Sequence, residues 1–182
     1  SKACGPCPCP CSRTLGYLKR NLHDAPSDTR KLAYQTFVRP QLEFASPIWS
    51  PHQKHLTLSL ESIQNRAARF IAHDYNRHSS VTNIKLSLSL ASLESRRTVA
   101  LLCLFHKMVF SPHSHALPLS RPSRTSHRRH NHSSFAHIFG RTKTLNMSAL
   151  PRAINHWNSL PDNVTNTKNP ATFRDMITTI LT

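Results

Sequence analysis

Apolar residues recur at helical spacing along most of the chain. Leu150, Ala153, Ile154 and Trp157 fall at i, i+3, i+4 and i+7, so one face of this stretch is apolar; Pro161-Asp162-Asn163 then ends the helix. From about His55 to Asp74, Leu56, Leu60, Ile63, Ala67, Phe70 and Ile71 draw a second stripe, and a different face carries Arg66, Arg69 and His73 as neighbours. A third helix begins near Ser92, a suitable N-cap, with Glu94 in its first turn and Arg96 and Arg97 behind it. It is apolar almost all round through Val109 and is expected at the centre of the core. Near the start, Arg13–Leu22 reads as a short amphipathic helix bearing Lys19 and Arg20. Pro26-Ser27-Asp28 opens another that runs toward Glu43, with Pro40 set to kink or split it. Glu43–Pro51 reads as a loop with an aromatic anchor, Trp49. At the C-terminus, Asn169 is placed as N-cap and Pro170 at the first helical position, and Phe173, Met176, Ile177, Ile180 and Leu181 share one face.

The pattern predicts a mainly α fold: a small helical bundle with a long basic loop, in which one short strand or hairpin is allowed near 133–147. Residues 1–12 read as a disordered or non-native Cys/Pro-rich leader, 13–110 as a helical region, 111–143 as a basic linker and 144–182 as a C-terminal helical segment. The expected core includes Trp49, Leu60, Phe70, Leu101, Ile154, Trp157 and Phe173. Trp157 has two readings, core plug or base-stacking platform. Tryptophan spaced with Leu and Ile normally packs, which favours the core for it and for Trp49.

Charge changes the picture. The 182 residues hold 24 Lys or Arg against 8 Asp or Glu, a formal net charge of +16. A charge of that size favours polyanions, nucleic acid first. Residues 111–143 contain six Arg or Lys, six His and no acid, too polar to bury much. Phosphate contacts are expected from Lys19, Arg20, Arg66, Arg69, Arg96 and Arg97 on helices and from Arg121, Arg124, Arg128 and Arg129 in the loop. The alternative, that such arginines brace helices or solvate the surface, weighs most on Arg96 and Arg97.

Catalytic chemistry finds little support. The acids (Asp24, Asp28, Glu43, Glu61, Asp74, Glu94, Asp162 and Asp175) are scattered, and two-metal phosphoryl transfer needs carboxylates converging on ions about 4 Å apart. No nucleophile elbow, P-loop or H-E-x-x-H occurs. Cys4, Cys7, Cys9 and Cys11 are dense in thiol, but Pro6, Pro8 and Pro10 between them hinder wrapping around an ion. His113-x-His115 and His130-x-His132 are weak chelators at best, and Cys103 reads as inert core. No catalytic residue, metal site or cofactor is therefore expected. The sequons at Asn131, Asn146 and Asn163 read as chance matches. Thr98–Phe110 is too short to span a bilayer, which takes about 20 apolar residues, and no signal peptide is visible. The expectation is an intracellular protein, nuclear or cytoplasmic, without membrane contact.

The order of the motifs is more specific than any one of them. "RTLGYLKRNL", "LAYQTFVRPQLEFASPIWSPH", "LESIQNRAARFI", "LASLESRRTVALLCLFHKMV" and "LPRAINHWNSLPDNV…ATFRDMI" occur in sequence. Together they resemble the region downstream of the polymerase palm in LINE-type (non-LTR) retrotransposon reverse transcriptases, from about Arg13 onward. The resemblance implies that 13–110 is thumb-like. It also implies a parent RNA-directed DNA polymerase whose thumb grips template and primer–cDNA duplex through backbone contacts. The magnesium-binding palm aspartates and the endonuclease domain of that family are not in this sequence, nor is a zinc knuckle after Cys103. What the resemblance leaves is a polyprotein fragment with non-specific RNA or RNA–DNA hybrid binding, and the missing palm as natural packing partner. A different class of reading is a retroelement relic that binds proteins or has no biochemical role.

Overall fold

The computed structural model describes residues 10–111, 119–122 and 133–181, and the regular elements among them are all helices. The chain divides into two units: one holds the residues up to Phe44 with Gln53–Glu94, the other Ala45–His52 with the residues from Ser95 onward.

The first unit contains α1 (Pro10–Asn21), α2 (Ser27–Ala33), a wide π turn (Tyr34–Val38), α3 (Arg39–Glu43), α5 (Lys54–Ala72) and α6 (Val81–Ser87). The stretch from Ser27 to Glu43 is helical as expected, and Pro40 shapes it. A proline ring clashes with the carbonyl four residues back, here Thr36, and offers no N–H. The turn before it is widened, so that Arg39 N–H reaches back five residues to Tyr34 O. Tyr34, Val38 and Leu42 still face inward and meet Leu15, Leu18, Ala67, Phe70 and Ile71 in one core. Leu60 is only partly buried, at the edge of that core. The segment Val81–Ser87 forms a helix that periodicity did not announce.

Two polar side chains tie the elements together. Tyr34 Oη donates to Gln64 Oε1 at 3.2 Å, and Gln64 Nε2 donates to Ala91 O at 2.8 Å. Glu61 on α5 takes Lys85 Nζ of α6 at 2.8 Å and accepts the Leu93 N–H at 3.2 Å, the first residue of α7 (Leu93–Phe110). Gly16 lies mid-helix in α1, where a Cβ would meet only the end of the Arg20 side chain at 3.7 Å. Gly16→Ala is expected to stabilise the fold by about 0.5–1 kcal/mol, because alanine has less backbone freedom to lose. A lowered urea midpoint would show a close contact in its place.

The second unit packs α7 from Ser95 onward with α4 (Ser46–Trp49), α8 (Lys143–Asn146), α9 (Ala149–Asn158), α10 (Asp162–Thr165) and α11 (Pro170–Leu181). Its core joins Leu101, Leu102 and Phe105 to Ala153, Ile154, Trp157, Phe173 and Ile177. Asn169 caps α11 as expected, accepting Ala171 N–H at 2.9 Å. Ile180 departs from the expected apolar face and is 51% exposed.

Three expectations are corrected here. Glu43–Pro51 is not all loop: Ser46–Trp49 makes one helical turn, entered through Ala45 at φ 50°. Trp49 is 41% exposed and is not a core residue, because this single turn is too short to carry its ring under cover. The strand allowed near 133–147 does not form. Phe135 N–H donates to Asn158 Oδ1 at 2.9 Å and Asn158 Nδ2 returns the bond to Phe135 O at 2.8 Å. Asn146 holds Gly140 the same way, at 2.6 and 3.2 Å. Side-chain amides thus occupy backbone groups that a neighbouring strand would otherwise pair.

Candidate nucleic-acid interface

Burial of Cys11, Leu15 and Leu18 fixes the orientation of α1. Ser12 and Lys19, seven residues apart, then share a stripe beside α5. Arg66 on α5 is exposed and donates from Nη2 to Ser12 Oγ at 3.3 Å. Lys19 is half-buried, and its ammonium lies 6.0 Å from the ring centroid of Tyr75, a residue 54% exposed. That is within reach of a cation–π attraction. Burial, and then the Arg66 charge, lower the Lys19 pKa from its ordinary value. Neither Lys19 nor Arg66 has a carboxylate partner among the described residues. Arg20 is exposed on the neighbouring turn of α1.

The other expected contacts fare differently. Arg69 is engaged within the fold: Nη1 donates to Asn76 O at 2.7 Å and Nη2 to Ser79 O at 3.2 Å, clamping the turn after α5. That turn is further held by Asp74, which accepts Asn76 N–H at 2.9 Å. Bonds from Ser79 and Asn76, with Arg69 nearby, lower the Asp74 pKa. His73 does not join Arg66 and Arg69 on one face. It caps α5 at φ 55°, and its Nδ1 accepts from Arg30 Nη1 at 2.9 Å. Arg97 is 2% exposed, and Arg96 is half-buried. Both stand where α7 enters the second unit, so packing takes them. Arg121 is exposed, while Arg124, Arg128 and Arg129 lie outside the described residues.

The sequence reading missed two residues. Tyr75 directly follows the basic helix, an aromatic beside cations, and that adjacency was the available signal. Arg30, 8% exposed, also donates to Phe70 O at 2.9 Å and so closes the C-terminus of α5. Nothing in its exposed-looking sequence context marks it. No group of three or more His, Cys, Asp or Glu converges as a metal site among the described residues. The leader cysteines Cys4, Cys7 and Cys9 and the two His-x-His pairs lie outside them. No helix among the described residues is long and apolar enough to cross a membrane. No family model, curated protein or solved structure matches the chain.

Proposed function

We propose that this chain is part of a LINE-type retrotransposon reverse transcriptase, from the region after the palm, and that it binds RNA or an RNA–DNA hybrid through the phosphate backbone. The ordered motifs support the origin. The observation that carries the binding is the Lys19–Arg66 pair, two cations near enough to act on each other, with no carboxylate partner for either among the described residues. The two charges repel each other, and a phosphate bound beside them would relieve that repulsion. Arg20 extends the basic surface of the first unit, and the chain carries no catalytic role in this reading.

Phosphate contacts release counterions, so affinity should fall steeply with KCl, with a log–log slope of about −0.9 per neutralised phosphate on duplex. Filter binding of an RNA–DNA hybrid in rising KCl tests this. The Lys19→Met/Arg66→Met double variant should shallow the slope by about two units without changing base preference. The same geometry fixes a sign for stability. A lysine with a lowered native pKa takes up fewer protons folded than unfolded, so its charge opposes folding below that pKa and the penalty fades as pH rises through it toward the ordinary lysine range. Lys19→Met should therefore weaken binding while holding or raising the midpoint at neutral pH. A flat salt response ends the proposal.

One observation favours the relic or protein-binding reading: Leu32, Phe37 and Phe44 in the first unit are 64%, 56% and 80% exposed. The missing palm is the partner that such a surface would fit in the parent enzyme. Polar replacement of Phe37 and Phe44 leaves the salt slope intact if that surface serves a protein and not the nucleic acid.

A further inference from the structure

The loop before α8 holds one large apolar side chain in water. Phe135 and Ile138 turn inward; Phe135 meets the Phe105 ring at a centroid distance of 5.6 Å. Phe139 does the reverse and is 88% exposed, the most exposed of the large apolar side chains among the described residues. It is not on a slack segment. Asn158 brackets the loop at Phe135 and Asn146 brackets it at Gly140, each through both polar atoms of its amide. Gly140 is required where it stands, because a Cβ would overlap the Leu145 side chain. Local structure therefore specifies the position of Phe139, and the core makes no use of its ring.

The surroundings indicate what the ring would meet. Arg141 and Lys143 follow it, both exposed and neither with a carboxylate partner among the described residues. Between Glu94 and Asp162 the sequence has ten Lys or Arg and no Asp or Glu. An exposed ring followed by two exposed cations suits a polyanion with exposed π faces better than an apolar protein pocket. Bases in a duplex offer their faces only at the ends, whereas an unpaired strand offers every one.

We propose that Phe139 is a base-stacking platform for single-stranded RNA or DNA, with Arg141 and Lys143 taking the flanking phosphates. This rests on the nucleic-acid reading above and adds to it the strand state of the ligand and a contact in the second unit. A stacking contact is tolerant of sequence and neutralises no phosphate. Removing it should lower single-strand affinity and leave the salt slope alone.

The test uses the full chain, a short single-stranded RNA of mixed sequence, and the blunt duplex of the same sequence. Phe139→Ala should lose roughly tenfold in single-strand affinity, with duplex affinity and salt slope unchanged. Its thermal midpoint should match the parent, since the ring is exposed. Phe139→Trp should restore the affinity, and its added fluorescence should be quenched by the single strand. Unchanged single-strand affinity in Phe139→Ala overturns the proposal. So does an equal loss on duplex, or full rescue by Phe139→Leu, which would mark an ordinary apolar contact. If the parent chain binds neither RNA even at low salt, the nucleic-acid reading itself fails. If it binds with a steep salt slope and Phe139→Ala changes nothing, only the stacking inference is lost.

Discussion

Trp157→Ala is expected to cost about 3–5 kcal/mol, the range for removing a large aromatic from a closed core. Trp157 is 1% exposed. Its ring packs against Phe105 and Phe173 at centroid distances of 5.3 and 5.6 Å, with Phe135 and His106 at 6.3 Å. Its indole N–H also donates to Ser133 O at 3.1 Å, which anchors the loop carrying Phe135. The alanine variant loses the packing and that donor together. A domain's whole stability is about 5–15 kcal/mol, so the loss is a large share of it. Hydrogen exchange should show Leu101–Phe110, α9 and α11 losing protection together. Trp157→Phe keeps a ring and drops the N–H, so it should cost less and leave RNA affinity unchanged. If Trp157→Ala held its urea midpoint and lost RNA binding, the residue would be a ligand contact and not a plug.

Glu61→Ala is expected to destabilise the first unit by about 3 kcal/mol. Removing one partner of a buried ion pair costs roughly 3–5 kcal/mol, and some solvent reaches this one, since both side chains are 17% exposed. Against that discount stands a second loss. Glu61 Oε2 accepts the Leu93 N–H at the start of α7, where a carboxylate also suits the helix dipole. The informative comparison is the double variant Glu61→Ala/Lys85→Met. With the stranded ammonium gone it should be more stable than Glu61→Ala alone, so the cycle should show a clear coupling. Additive effects in urea unfolding would mean that the pair contributes little and that Glu61 acts through Leu93.

The same contrast separates what could be read from the chain and what could not. The helices over 54–72, 149–158 and 170–181 were legible because each buries one stripe, and the 3.6-residue period writes that stripe into the sequence; the helix over 93–110 was legible from its N-terminal signals and its long apolar run. The cap at Asn169 and the disturbance at Pro40 were legible because each acts within a few residues of itself. The candidate interface was legible only as charge. Lys19, Arg66, Arg69 and Arg97 look alike in sequence, yet the first two neighbour each other, Arg69 clamps a turn and Arg97 is buried.

By itself the sequence determined the helical class, the apolar faces that must be covered, and a net charge that suits a polyanion. Those are sums or short-range periodicities, and each residue contributes to them regardless of its distant neighbours. Only the tertiary structure decided which cation is spent on a carbonyl, that Trp49 stays in water while Trp157 is enclosed, and that Asn146 and Asn158 replace a strand. These outcomes depend on partners far along the chain, such as Glu61 with Leu93 or Trp157 with Ser133. A side chain's hydrogen bonds and burial are set by what packing brings to it, and local pattern carries no record of that.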